Sequence, residues 1–145
     1  MVIEMEVAFE QVGDWDFKFT FDHIALKDLF INFSKVPEDK RAGVARQFLS
    51  ASLTWCTTVW FYYLLSARGV NIKDITSSSQ VRMGKDEAGE NIVEGIDLDI
   101  VVDVPEENIE EFERCRSIVD KGCLIGKSLE KGMSVHHSIS LKHKV

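Results

Sequence analysis

The sequence contains little proline and glycine, with 2 and 9 residues respectively in a chain of 145. This scarcity argues against flexible linkers, collagen-like repeats and low-complexity disorder. Positive charge is also scarce, since 17 Lys and Arg residues face 24 Asp and Glu residues and the net charge is −7. Because phosphate groups bind to basic patches, the composition argues against a partner that is nucleic acid or an anionic membrane surface.

Several common site motifs are absent as well, among them CxxC, HExxH, the P-loop and GxGxxG. The cysteines number 3, and an odd count argues against the disulfide framework of a small secreted protein. Residues 1–6 have neither the basic nor the apolar region of a signal peptide, so we expect a cytoplasmic location. In that reducing compartment a cysteine either packs in a core or carries out chemistry.

The patterns that are present predict one α+β domain over residues 1–145, with the element order βββ-α-ββ-α-β. Strands come in runs instead of alternating regularly with helices, which favours antiparallel sheets. A turn is predicted at residues 10–14, within the first run of strands. Strands are predicted at 2–9, 15–22, 25–33, 72–83, 91–103 and 133–145, and helices at 44–67, 105–121 and 123–130.

Residues 44–67 are the most distinctive segment, because no charge falls between Arg46 and Arg68. The stretch is long enough to span a bilayer, but its many Ser and Thr residues disfavour a single span. Its polar residues gather on one side of a helical wheel and its aromatic residues on the other. We therefore predict a helix buried on most of its surface, inside a domain or at a subunit interface, that ends at Arg68 and Gly69.

The cysteines differ in their predicted settings. Cys56 lies in the middle of the long helix, where both packing and chemistry are open. Cys115 follows Phe112 on the apolar face of the second helix, which indicates packing. Cys123 follows a glycine and opens a helical turn, where it is either a cap residue without chemistry or a thiol whose pKa the unpaired N–H groups lower. Cys56 and Cys123 would form a two-thiol redox site if they met, but their spacing does not decide whether they do.

Two segments resemble the OsmC/Ohr family of osmotically inducible and organic hydroperoxide resistance proteins. Ala51-Ser52-Leu53-Thr54-Trp55-Cys56, with the apolar run after it, is similar to the family's central helix. Val119-Asp120-Lys121-Gly122-Cys123 is similar to its second cysteine segment. The resemblance implies an OsmC-like fold, in which antiparallel sheets pack around a long buried central helix in an intertwined homodimer.

The resemblance also implies a chemistry, the reduction of organic hydroperoxides in defence against oxidative stress. Cys56 would attack the peroxide and Cys123 would close a disulfide with it. No cofactor is implied, and an external dithiol of the lipoyl or thioredoxin type would restore the thiols. Ser52, Trp60 and Tyr63 are the residues expected to line the substrate pocket.

This sequence departs from the family at the groups that activate the first cysteine. The family uses an arginine from the N-terminal strands, held by a glutamate, whereas here no arginine precedes Arg41 and Arg46 occupies the glutamate position. Arg41 and Arg46 are therefore the candidates for an activating cation. The alternative is a diverged family member that keeps the fold and binds an apolar ligand or a partner without turnover.

Histidines near the C-terminus raise the question of a metal site. His136 and His137 would point to opposite faces of the predicted last strand, so they do not readily share one ion. We therefore expect no metal site.

Overall fold

The computed structural model describes residues 5–133, 135–136 and 138. The chain divides into two compact units, Met1–Val44 and Ala45–Val145. The first unit holds a three-stranded antiparallel sheet in the order β1-β2-β3. Its strands are β1 (Val7–Gly13), β2 (Asp16–Phe21) and β3 (Leu29–Asn32).

The turn between β1 and β2 lies later than the sequence predicted. β1 continues through Gly13, which pairs with Asp16, so the predicted turn at residues 10–14 is wrong. The connection is a two-residue turn at Asp14 and Trp15, and Trp15 has a positive φ of 61°. Cross-strand pairing of aromatic rings favours the longer strand, since the Phe9 ring lies 5.2 Å from Phe17.

After β3 the chain forms two short 3-10 turns, Phe33–Lys35 and Glu38–Lys40. The first turn is attached to β2 because the Asp16 carboxylate accepts hydrogen bonds from the backbone N–H and the hydroxyl of Ser34. Arg41 closes this unit: its Nε donates to the Val36 carbonyl at 2.9 Å and its guanidinium lies over the Trp15 ring.

The second unit begins with the long helix α1 (Val44–Ala67), whose bounds match the sequence prediction. The segment contains no Gly or Pro that would interrupt the helix. Gly69 follows with a φ of 71°, a conformation that glycine adopts without steric cost. The Val70 N–H donates back to the Leu65 carbonyl at 3.1 Å, which confirms the predicted end of the helix.

A long antiparallel hairpin follows α1. β4 (Asp74–Lys85) and β5 (Asn91–Asp103) confirm the two predicted strands, although β4 starts at Asp74 instead of residue 72. The Asp86 carboxylate holds the turn by accepting hydrogen bonds from the N–H groups of Ala88 and Glu90.

Two helices complete the described part of the second unit. A 3-10 turn, Glu106–Asn108, precedes α2 (Ile109–Val119), and α3 (Leu124–Lys131) follows after Gly122. Pro105 therefore opens the 3-10 turn and not the α-helix itself. Of the predicted apolar face of α2, Phe112, Cys115 and Val119 belong to the core, whereas Ile109 is exposed.

The core of this unit lies between α1, α2 and the hairpin. Its buried members come from α1, the segment after it and α2: Phe61, Leu65, Val70, Cys115 and Val119. The Phe61 and Phe112 rings approach to 5.4 Å between centroids. Within one chain, α1 buries only Ser50, Phe61 and Leu65, so the predicted burial on most of its surface is not reached there.

The side of α1 that faces the hairpin is largely polar. Thr54 Oγ1 donates to Ser79 Oγ at 2.8 Å, and Thr58 Oγ1 donates to Ser77 Oγ at 3.0 Å. Ser50 is buried and also bonds to Ser79. Paired hydroxyl groups are buried at little cost, so this polar side of α1 can pack on β4.

The predicted last strand, residues 133–145, falls mostly outside the described residues. Met133, Val135, His136 and Ser138 are described and are not in a strand. Among the described residues, no helix has both the length and the apolar character needed to cross a membrane.

Candidate functional site: two thiols at one helix terminus

Cys123 occupies the N-cap of α3. Gly122, with a φ of 95°, turns the chain at the end of α2 and so allows Cys123 to open the next helix. The Cys123 sulfur accepts a hydrogen bond from the Gly126 N–H at 3.3 Å, in the way that an N-cap side chain satisfies an open donor of the first turn. The prediction that this cysteine opens a helix is confirmed.

Cys56 reaches the same helix terminus from the middle of α1. Its thiol is hydrogen-bonded to Cys123, and the backbone N–H groups of Ile125 and Leu124 act on it as well. The structure therefore brings together the two cysteines that the sequence separates by a hairpin and a helix. Both are free thiols, and Cys56 is partly exposed whereas Cys123 is 5% exposed.

The two thiols differ in acidity. Burial raises the pKa of Cys56, and the hydrogen bond to Cys123 raises it further, against the opposing effect of the Ile125 and Leu124 N–H groups. Burial also acts to raise the pKa of Cys123, but hydrogen bonds from Cys56, Thr57 and backbone N–H groups outweigh it and lower that pKa. The negative charge of the pair therefore resides preferentially on Cys123.

Thr57 contacts Cys123 directly, with its Oγ1 at 3.4 Å from the Cys123 sulfur. It is the neighbour of Cys56 in sequence and lies on the flank of α1 that faces α3. The other threonines of α1, Thr54 and Thr58, are directed instead at the serines of β4. Sequence analysis placed all three on one polar side of the helix and did not distinguish Thr57 from the others.

Cys115 lies in a different environment. It is completely buried in the core, and burial raises the pKa of its thiol. The packing role predicted for it fits this position.

The two arginines predicted as activating cations lie in different units. α1 is continuous from Val44, so Arg46 lies about 15 Å along the helix axis from Cys56, beyond direct contact within the helix. Arg41 belongs to the first unit, where it bonds to Val36 and stacks on Trp15. The groups that dominate the pKa of Cys56 are burial, Cys123 and two backbone N–H groups, and they include no cation from the described residues of the second unit.

The residues predicted to line a pocket share one exposed side of α1. Trp60 and Tyr63 stack with their ring centroids 5.8 Å apart, and Ser52 is exposed on the turn before Cys56. Trp55, on the neighbouring stripe of the helix, is 72% exposed. Cys56 thus lies between α3 on one side and an exposed aromatic surface on the other.

A metal centre is not formed by the part of the chain that the structure describes, where no three His, Cys, Asp or Glu side chains are placed to hold an ion. His136 is described, whereas His137 lies outside the described residues.

Comparison with known proteins agrees with this fold. The family model described as OsmC-like protein matches residues 37–138, and the chain belongs to that family. No curated protein sequence gives a significant match.

Solved structures show the same fold at low sequence identity. An OsmC-like protein of Vibrio cholerae O1 biovar eltor is 15% identical, with a TM-score of 0.67 over 89% of this chain and 95% of that one. An OsmC-like protein of Mycoplasma pneumoniae is 14% identical, with a TM-score of 0.67 over 90% and 89%. The organic hydroperoxide resistance protein OhrB of Bacillus subtilis is 19% identical, with a TM-score of 0.52 over 87% and 90%.

Proposed function

We propose that this protein is a thiol-dependent hydroperoxide reductase that acts through Cys56 and Cys123. The observation that carries the proposal is that the two thiols meet at the N-terminus of α3, where each acts on the pKa of the other. Two cysteines in contact can pass from dithiol to disulfide, and neighbouring N–H donors stabilise the thiolate that the chemistry requires. The OhrB protein of Bacillus subtilis, named for organic hydroperoxide resistance, supports this assignment by its shared fold.

The proposed reaction uses one equivalent of peroxide. Cys56 passes its proton to the ionised Cys123 as its sulfur attacks the distal peroxide oxygen, the O–O bond breaks, and the alkoxide takes that proton from Cys123 and leaves as an alcohol. Cys56 then carries a sulfenic acid. Cys123 attacks that sulfur and expels hydroxide, which becomes water, and a disulfide forms. An external dithiol supplies the two electrons that restore both thiols.

Steady-state consumption of cumene hydroperoxide with a dithiol reductant tests this function. We expect turnover by the wild-type protein and its loss in Cys56→Ser and in Cys123→Ser. Cys115→Ala is the matched control, because it removes a thiol outside the pair, and it should retain activity. Equal peroxide consumption by wild type and Cys56→Ser would falsify the proposal.

One observation favours the second candidate, a family member that binds an apolar ligand or a partner without turnover. Burial raises the pKa of Cys56, and Arg46 lies too far along α1 to lower it by direct contact. Mass spectrometry after one equivalent of hydroperoxide separates the two functions. A disulfide between residues 56 and 123 supports the reductase, whereas unmodified thiols support the binding protein.

We also propose a homodimer that covers the aromatic side of α1. Trp55 and Tyr63 are 72% and 60% exposed in the single chain, and Tyr62 is also exposed. Monomeric proteins rarely expose such adjoining aromatic residues, which are enriched in protein interfaces. Sedimentation equilibrium should give twice the mass of one chain, and Trp55→Glu should shift the mass towards that of the monomer.

A further inference from the structure

We infer that Thr57 is a positioning residue whose hydroxyl donates a hydrogen bond to the Cys123 sulfur and so favours the thiolate that attacks a sulfenic acid on Cys56. The inference rests on the proposed function and adds a role for a residue that the resemblance to known proteins does not assign. It follows from three observations: the contact of Thr57 with the Cys123 sulfur, the choice of partner among the threonines of α1, and the burial of Cys123.

Thr57 Oγ1 and the Cys123 sulfur form a hydrogen bond of 3.4 Å, in which either group can donate while Cys123 is a neutral thiol. Once Cys123 is ionised its sulfur has no proton to give, so the Thr57 hydroxyl is then the donor. The Gly126 N–H donates to the same sulfur at 3.3 Å, and the Cys56 thiol donates as well. With the Ile125 N–H, four donors from two helices thus act on one sulfur atom, and hydrogen bonds to a charged acceptor are stronger than those to a neutral one.

Thr57 is the threonine of α1 that reaches this site. Thr54 donates to the Ser50 carbonyl and to Ser79, and Thr58 donates to Ser77. Removal of the hydroxyl at residue 58 would break a contact of similar length with the hairpin and leave the thiols untouched. Thr58→Val is therefore a structural control for Thr57→Val.

The burial of Cys123 suits a thiolate that waits for the second step. It is 5% exposed, whereas Cys56 is partly exposed on α1. In the single chain Cys56 is therefore the more accessible of the two sulfurs, and burial shields Cys123 from direct oxidation. An ionised Cys123 attacks as soon as the sulfenic acid forms, and this limits further oxidation of Cys56 to sulfinic acid by a second peroxide.

Three charged residues lie within four positions of Cys123 in the sequence: Asp120 and Lys121 before it and Lys127 in α3. α1 adds the titratable thiol of Cys56. The groups that dominate the pKa of Cys123 are Cys56, Thr57 and the backbone N–H groups of α3. The charged side chains are not among them. A titration of Cys123 therefore reports mainly on its hydrogen-bond donors.

The first measurement is a pH titration of thiolate ultraviolet absorbance in a Cys56→Ser background. Two thiols remain there: Cys115, whose pKa burial raises, and Cys123, which keeps Thr57 and the N–H groups of α3 as donors. We expect Thr57→Val and Thr57→Ala to move the Cys123 titration to higher pH. Thr57→Ser, which keeps the hydroxyl, and Thr58→Val should leave it unchanged.

The second measurement uses proteins with both cysteines of the pair and a rapid pulse of cumene hydroperoxide. We expect Thr57→Val to close the disulfide about tenfold more slowly at neutral pH, from the loss of one hydrogen bond to a charged group. Sulfinic acid should accumulate on Cys56 as a result, and Thr57→Ser should restore the rate.

The outcomes separate this inference from the proposed function. A Cys123 titration that is unchanged in Thr57→Val, or shifted equally in Thr58→Val, overturns the role of Thr57 even if the wild type reduces peroxide. A titration that moves only with Thr57→Val and Thr57→Ala supports that role in holding the thiolate, because this readout needs no peroxide. Loss of the proposed function would instead appear as a wild-type protein that does not consume peroxide.

Discussion

Cys115 and Cys123 lie on either side of Gly122 and both are buried, yet the pKa of one thiol is raised and that of the other is lowered. Cys115 is in the body of α2, 0% exposed, and burial raises its pKa. Cys123 begins α3, 5% exposed, and hydrogen-bond donors outweigh burial and lower its pKa. The side chains of Cys56 and Thr57 and the N–H groups of the first turn of α3 all act on Cys123, whereas inside α2 the backbone N–H groups are already paired. For two buried cysteines, the hydrogen-bond donors within reach thus decide the direction in which the pKa moves.

The largest effect that tests this contrast is on stability. Cys115→Ser places a hydroxyl group in an apolar core, and we expect the free energy of unfolding to fall by about 1–3 kcal/mol. Cys123→Ser should change it by less than about 0.5 kcal/mol, because serine is a favourable N-cap residue. Urea denaturation of both variants makes the comparison, and equal destabilisation would contradict it.

The next effect is on alkylation. In a Cys56→Ser background at neutral pH, iodoacetamide should label Cys123 faster than Cys115, since the thiolate is the reactive form and the thiol with the lower pKa has the larger thiolate fraction. Peptide mapping by mass spectrometry after timed exposure gives both rates from one sample. Similar rates for the two thiols would show that the terminus of α3 does not activate Cys123.

The smallest effect concerns the N–H groups of α3 themselves. Leu124→Pro removes one donor to Cys56, and proline suits the first position of a helix after an extended residue such as Cys123. We expect alkylation of Cys56 to slow by a factor of about 2–10, the range for one lost hydrogen bond, with no loss of stability. Leu124→Ala keeps the N–H and is the control; if it slows alkylation equally, the effect comes from the exposed leucine side chain.

Local signals in the sequence predicted most elements of the fold. α1 was predicted with both of its ends because the segment lacks helix breakers and Gly69 terminates it. The end of β1 was not predicted correctly, because pairing with β2 extends that strand through Gly13, past the polar residues that favoured a turn. The sequence predicted correctly that the polar residues of α1 share one side of the helix, but it did not show that the serines of β4 would pack against that side.

The site divides in the same way. The sequence by itself determined that Cys115 falls on an apolar helix face and that Cys123 follows a glycine at a helix start, because both depend on nearby residues. Only the tertiary structure decided that Cys56 meets Cys123 and that Thr57, and neither Thr54 nor Thr58, contacts it. These contacts join α1 to α3 across a hairpin and a helix, and they depend on how those elements pack, which no local pattern of residues encodes.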